Sequence, residues 1–457
     1  MPTDCNAQPI AFTPLGRRQV LAEFDGGRIT SDAGALLLRE AAGRSRLFER
    51  MAACLPDPRD PSMVEHEQQT MLAQRVLGIA CGWEDLNDHH GLRDDPLMQI
   101  ASGRVASGRV ADDARPLASP STLCRLENRV DRSACVELSK LLVELFVESF
   151  GDSPPDELVL DFDATDDPVH GSQEGRFFHG YYDGYCYLPL YVFCGERLLV
   201  SYLRPSNIDA SRHSRALLKL LVTRLRQAWP NVKIVFRGDS GFCRWRLMRW
   251  CDRHGVGYVI GLARNKVLER IAGPFMQQAK RQYEQTKEKQ RVFTEFDYAA
   301  GTWDRPRRVV HKAEHNSQGD NPRFVVTNLA AGDPHGDPQA LYDRTYCARG
   351  EMENRIKEQQ LGLFAGRTSC HRFAANQFRL LLSSFAYTLI ETLRRVALAG
   401  TELARAQATT IRTKLLKVGA VVVSSVRRIV LRLSGGYPLK ELFGQAARRL
   451  TARVRLE

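Results

Sequence analysis

No stretch of the 457 residues carries the run of about 20 apolar side chains that a membrane-spanning helix requires. The longest candidate, Leu380 to Ile390, is closed off by Arg379 and Glu391. Met1 to Phe12 has neither a basic start nor an apolar core, so no secretory signal is read there. The eleven cysteines are scattered, odd in number and without a C-x-x-C pair, which argues against a disulfide scaffold and a zinc site. They read as free thiols of a protein in the reducing cytoplasm. There is no internal repeat and no long low-complexity tract. With 43% hydrophobic and 26% charged residues the chain is not a disordered one. Its length allows two or three domains of about 150 residues.

What the chain has in excess is positive charge, and the excess is uneven. Residues 1–150 hold 17 basic against 22 acidic side chains, residues 151–395 hold 36 against 28, and residues 396–457 hold 12 against 3. The whole carries +12. A basic body with a more basic tail suits a polyanionic partner, most often nucleic acid, although such an excess also serves solubility.

The first 150 residues read mostly helical. Ser119-Pro120 before Ser121 to Glu127 is a helix start, either of a recognition helix or of a structural one. Gly151-Asp152-Ser153-Pro154-Pro155 marks a boundary. Beyond it come a strand at Glu157 to Asp161, a hairpin of Tyr185–Cys194 with Arg197–Leu203, a helix at His213 to Trp229, a strand at Val232 to Phe236, a helix at Arg244 to His254, and a strand at Gly257 to Leu262. Residues 264–345 read as a mainly β insertion. A helical pattern runs from about Arg349 through Leu393, and the basic tail from Thr409 to Leu433 also reads as helical.

Three groups of acids resist a purely structural account. Asp161 and Asp163 end the first strand at alternate positions and so share a face, where like charges repel unless a cation lies between them. Asp239 follows an apolar strand within Arg237-Gly238-Asp239-Ser240-Gly241-Phe242, with glycines on both sides that permit a close approach. Glu351 and Glu353 open the late helix. Gathered at one sheet edge, such carboxylates select Mg²⁺, with Mn²⁺ as substitute, and two such ions suit cleavage and transfer of phosphodiesters.

The spacing Tyr346-x2-Arg349-x3-Glu353 resembles the Y-x2-R-x3-E-x6-K signature of DDE transposases in the broad insertion-sequence-4 superfamily. The chain as a whole resembles the transposase of insertion-sequence family 1380. The segments that carry this likeness are Gly82 to Asp88, Asp161 to Thr165, His179 to Tyr182 with Tyr187 to Leu190, Arg237 to Phe242, Arg349 to Glu358 and Thr410 to Ala420. The resemblance implies an α/β fold with an RNase H-like catalytic domain at 151–395, interrupted by the β-rich insertion at 264–345. A helical N-terminal DNA-binding domain at 1–150 and a helical, basic C-terminal region at 396–457 flank it. It implies Asp163, Asp239 and Glu353 as catalytic and metal-holding residues, with Asp161 as the alternative first ligand and Glu351 as the losing candidate for the third. Tyr346 and Arg349 are expected to hold phosphates of the transposon end. The signature Lys falls on Gln360, and Lys357 stands one turn away as its substitute.

The resemblance also implies excision and strand transfer at terminal inverted repeats, with second-strand cleavage through a hairpin. The expected partners are duplex DNA and a second copy in the synaptic complex, in a cytoplasmic, nucleoid-associated protein with no membrane role. Trp303 stands for either base stacking or strand packing, and His170 and His179 for structural roles. His89-His90 reads as a solvated turn. In the tail, Arg412, Lys414, Lys417, Arg427 and Arg428 are candidates for phosphate contacts or a solvated face. An inactive DNA-binding descendant and a nuclease of the same fold are the alternatives.

Overall fold

The computed structural model describes residues 9–104, 116–333, 335–425 and 427–452. Met1 to Gln8 and the last five residues of the tail lie outside these. The chain divides into two compact units, one built from residues 1–127 and 385–457, the other from 128–384.

The first unit opens with a hairpin of β1 (Ile10–Leu15) and β2 (Arg18–Ala22), then β3 (Ile29–Thr30). Helices α1 (Ala35–Arg44), α2 (Leu47–Ala53), α3 (Gln68–Cys81), α4 (His89–Leu92), α5 (Pro96–Ala101) and α6 (Pro120–Arg129) follow. Nearly every side chain of α3 is buried, its Met, Leu, Val, Ile and Ala residues among apolar neighbours and its Gln74 and Arg75 with polar partners of their own. It stops at Gly82, whose φ of 97° lets the chain turn back, with Trp83 N donating to the Gly78 carbonyl.

In the second unit, α7 (Arg132–Glu148) packs on the strand Arg197–Tyr202 through Phe146 and its neighbours. The boundary therefore falls before α7, at residue 127, and not at 150. The strands are β4 (Glu157–Ala164), β5 (Asp167–Pro168), β6 (Phe177–His179), β7 (Gly184–Tyr187), β8 (Leu190–Cys194) and β9 (Arg197–Tyr202). Then come α8 (Ser214–Ala228), β10 (Lys233–Gly238), α9 (Trp245–Arg253), β11 (Gly257–Leu262), α10 (Lys266–Thr286), β12 (Gln290–Tyr298), β13 (Arg307–Asn316), β14 (Gly319–Asp320) and β15 (Arg323–Thr327). One mixed sheet runs in the order β12-β13-β15-β11-β10-β4-β8-β9, with β14 beside β13. β10 is parallel to both β4 and β11, and the other pairs are antiparallel. β5, β7 and β6 form a small separate sheet.

The expected β insertion is corrected here. It begins with the 21-residue α10, and its strands β12, β13 and β15 continue the central sheet through the β15–β11 pair. Alternation along the strands sorts the core. Leu158, Leu160, Phe162, Ile234, Phe236, Tyr258 and Ile260 face α8 and α9, while Val159, Val235, Val259, Val310 and Val325 face the other way. That second face is covered by Leu341 and Tyr342. They lie in a helical stretch that starts with α11 (Pro338–Ala340) and passes through wide turns at Leu341–Tyr346 into α12 (Gly350–Lys357).

α13 (Phe373–Thr392) carries the chain back into the first unit. There α14 (Ala408–Ile411) and one further turn end at Leu416, and Ala33 and Gly34 amides donate to the Val418 and Leu416 carbonyls. The tail is then not helical. β16 (Ala420–Ser424) pairs with β3 and with β17 (Ile429–Leu433), and only α15 (Lys440–Thr451) restores helix. The Val421-Val422-Val423 run has the branched side chains that favour a pleated strand. No helix among the described residues is long and apolar enough to cross a membrane.

Candidate active site

Because β4 and β10 are parallel neighbours, both end at the same edge of the sheet, where open α/β sheets place their ligands. Asp161 and Asp163 leave the same face of β4, but their surroundings differ. Asp161 sits in register with Arg237 of β10 and is 2% exposed. Its carboxylate accepts from Arg237 Nε and, at 2.6 Å, from Nη2, while Nη1 of the same guanidinium reaches the Thr345 carbonyl. Burial raises the Asp161 carboxyl pKa, and Arg237 opposes that rise. Asp161 is thus committed to a buried tie between β4, β10 and the helical stretch above them.

Asp163 lies two residues nearer the edge. Its Oδ1 accepts from the Ala164 amide at 3.0 Å and its Oδ2 from Arg349 Nη1 at 3.2 Å. Nη2 of the same arginine donates to Glu353 Oε1 at 2.7 Å. Arg349 and Glu353 are four apart along the helical stretch and therefore share a face. Asp239 is the first residue beyond β10. Its Oδ1 accepts from the Gly241 amide at 2.9 Å and caps the tight turn Ser240–Phe242. The Asp163 carboxyl is pushed up to about 7, chiefly by burial and further by the charges of Asp239 and Glu353, with Arg349 opposing. The Tyr346 hydroxyl is raised by burial and by Asp239. Asp163, Asp239, Glu353, Arg349 and Tyr346 therefore form one electrostatic cluster. Glu351 is exposed, and its charge acts on Asp161 instead.

Among the described residues no three His, Cys, Asp or Glu side chains converge on a point that would hold a metal ion. The donor set nonetheless suits a hard cation in its chemistry. Three carboxylates are offset by a single guanidinium, an oxygen-rich and net-negative set of the kind that holds hard dications.

Beside Asp239 lies a cavity of about 230 Å³ lined by Ser240, Gly261, Arg264, Arg323, Phe324 and Tyr346 among others. Gly261 is required there: a Cβ would stand 2.5 Å from the Tyr346 hydroxyl and 3.0 Å from the Ser240 nitrogen.

The remaining candidates separate. Lys357 is exposed one turn beyond Glu353. Gln360 donates to the Asp166 carbonyl at 3.0 Å and ties the Glu353 helix to the segment after β4. Trp303 is half-buried against the core, edge-on to Tyr298 at 5.5 Å with the Arg307 guanidinium 5.6 Å from its centroid. His170 is exposed, and the His179 ring lies 4.9 Å from that of Tyr182.

In the first unit, Arg412 donates to the Ala80 and Ile79 carbonyls at 3.0 and 3.2 Å, at the end of α3. Lys417 pairs with buried Asp32 at 2.7 Å and lies 4.3 Å over the Trp83 ring, whose Nε1 also donates to Asp32. These two cations are engaged internally. Lys414 is exposed, as are Arg427 and Arg428, which stand in the β16–β17 turn and not on a helix. His89 is not solvated: it is fully buried between Gln74 and Arg75, and Arg75 pairs with buried Glu127. Burial and Arg75 push its pKa down to about 3.

Sequence reasoning missed Arg237 and the tie made by Gln360. The parallel register of β4 and β10 is what exposes the first, and no local signal marks the second.

No curated protein matches the chain. Among solved structures it is similar to the piggyBac transposase seen by cryo-electron microscopy in a synaptic complex with hairpin DNA. That likeness has 12% identity and a TM-score of 0.42, over 85% of this chain and 80% of that one. Residues 12–455, nearly the whole chain, match the family described as transposase DDE domain group 1, and the protein belongs to that family.

Proposed function

We propose that the protein is a DNA transposase that excises an insertion sequence at its terminal inverted repeats and joins it to target DNA, with Asp163, Asp239 and Glu353 as the acid set. The observation that carries this reading is the pairing of Asp163 and Glu353, 190 positions apart in the chain, through one Arg349 guanidinium, with Asp239 coupled to them at the end of the adjacent parallel strand. The order β9-β8-β4-β10-β11, with an antiparallel start and parallel additions, supports an RNase H-like arrangement.

Asp163, Asp239 and Glu353 would hold Mg²⁺ or Mn²⁺, which when bound stabilises the attacking and leaving oxygens of a phosphodiester displacement. Around them Tyr346, Arg349 and Lys357 would take DNA phosphates, and the planar fork of Arg349 suits phosphate as well as carboxylate. Trp303, the engaged pair Arg412 and Lys417, and exposed Lys414, Arg427 and Arg428 complete the DNA-binding set expected from the sequence, and the exposed three are the ones favoured for backbone contacts. Membership of insertion-sequence family 1380, a dimeric synapse, hairpin cleavage and residence at the nucleoid belong to the same proposal.

The test is a plasmid excision assay with the terminal repeats that flank the coding region. The wild type should release and rejoin the element. Asp239→Ala should bind the end normally and fail to nick it in Mg²⁺ buffer. Cleavage by the variant at the wild-type rate would overturn the acid set, and nicking without joining would leave a nuclease.

A further inference from the structure

We infer that Arg349 is the resident counter-ion of the acid site, occupying the gap between Asp163 and Glu353 until it is exchanged for a divalent cation, and released from that gap when a DNA phosphate takes its guanidinium. The inference rests on the acid set proposed above and adds a coupling between metal loading and DNA binding.

Three features of the geometry lead to it. First, the contact is a bridge and not a surface pair. One guanidinium donates at 3.2 Å to Asp163 and at 2.7 Å to Glu353; the Arg349 and Asp163 side chains are 17% and 14% exposed, and Glu353, at 45%, is the open end of the bridge. Second, Asp163 and Glu353 come from different elements, β4 and α12, and the guanidinium is what joins their carboxylates. Without the arginine the two carboxylates would repel one another across the gap. Third, a hard dication needs carboxylate oxygens at about 2.0–2.1 Å, and a guanidinium lying between the same two carboxylates would repel it and compete for those oxygens. Occupation of the gap by the arginine and by the metal is therefore mutually unfavourable.

The exit for the arginine follows from its chemistry. Its fork fits a phosphate as well as it fits two carboxylate oxygens, and Tyr346 stands one turn before it on the same helical stretch. A phosphate presented there takes the guanidinium and leaves Asp163 and Glu353 to the metal. By linkage, DNA must then tighten metal binding by the same factor as metal tightens DNA binding. Such coupling keeps the metal-loaded, cutting state scarce in the absence of DNA.

The measurement is Mn²⁺ binding by electron paramagnetic resonance on the full chain, alone and with a duplex oligonucleotide of mixed sequence. Arg349→Gln should bind Mn²⁺ about 10-fold more tightly than the wild type without DNA, which corresponds to a modest coupling. The duplex should tighten Mn²⁺ binding by the wild type and have no such effect on the variant. Equal or weaker Mn²⁺ binding by Arg349→Gln overturns the inference. Should that variant fail to fold, Arg349→Met removes the charge and keeps much of the length of the side chain. It should then bind Mn²⁺ several-fold more tightly, and unchanged affinity is equally fatal. Asp163→Asn separates the two levels of the reading. If it leaves Mn²⁺ binding intact, the acid set itself is wrong. If it weakens Mn²⁺ binding while Arg349→Gln fails to strengthen it, only the counter-ion role falls.

Discussion

Asp161 and Asp163 leave the same face of β4, and a step of two positions along the strand separates a structural ion pair from the carboxylate proposed to act. Asp161 is opposite Arg237 and deeply enclosed, whereas Asp163 reaches the sheet edge. Breaking the buried pair leaves a charge without its partner, so Arg237→Met should cost about 3–5 kcal/mol in denaturant unfolding. The double variant Arg237→Met with Asp161→Asn should recover most of that, and additive losses would show that the pair is not coupled. Asp163 makes a different prediction. Its carboxyl is raised from 3.8 to about 7, so the folded state binds more protons than the unfolded state between those values. Its contribution to the stability of the metal-free protein is therefore best at low pH and falls as pH rises through about 7. Asp163→Asn should melt a few degrees higher than wild type in chelator at pH 8 and no higher at pH 4. Equal melting temperatures at pH 8 would contradict the strained carboxylate.

At the level of elements, the site depends on how closely the stretch around Tyr346 approaches β11 and the turn after β10. Gly261 makes room for the Tyr346 hydroxyl, and a methyl there would meet oxygen at 2.5 Å. Gly261→Ala should push Tyr346 away, lower end cleavage by about 10-fold or more as expected when catalytic groups move by an ångström, and leave helix content unchanged by circular dichroism. Full activity would mean that Tyr346 is not needed at that position. Much of the second unit's element order is legible from alternation and helical period: β4, the β8–β9 hairpin, α8, β10, α9 and β11 all stand where the pattern puts them. The tail was less legible. Leu415 and Leu416 continue the helical spacing, but Val421 to Val423 can satisfy either pattern until pairing with β3 and β17 selects the strand. α10 is missed although Leu268, Ile271, Ala272, Phe275, Met276 and Ala279 recur at helical spacing, because the Gly273-Pro274 pair inside it reads as a break.

Across the whole molecule, the charge excess separates into cations that build the first unit and cations that remain exposed. Lys417 and Arg412 belong to the former: Lys417 neutralises Asp32, which is 1% exposed, and Arg412 closes the end of α3. Lys417→Met should destabilise the protein by about 3 kcal/mol or more by leaving Asp32 buried and unpaired, while Lys414→Gln should change stability by less than about 0.5 kcal/mol. Substituting Lys414, Arg427 and Arg428 together by Gln should instead flatten the slope of log affinity for duplex DNA against log salt by about 2–3, with little change in melting temperature. An unchanged slope would assign these side chains to a solvated face. The sequence by itself determined the chemistry that is available, because the acids, the Tyr346-x2-Arg349-x3-Glu353 spacing and the basic tail are properties of residue type and order. Only the tertiary structure decided which of those residues are engaged with one another. It paired Asp161 with Arg237, set Arg349 between Asp163 and Glu353, and turned Lys417 inward onto Asp32, because charge pairing and burial depend on neighbours that are distant in the chain.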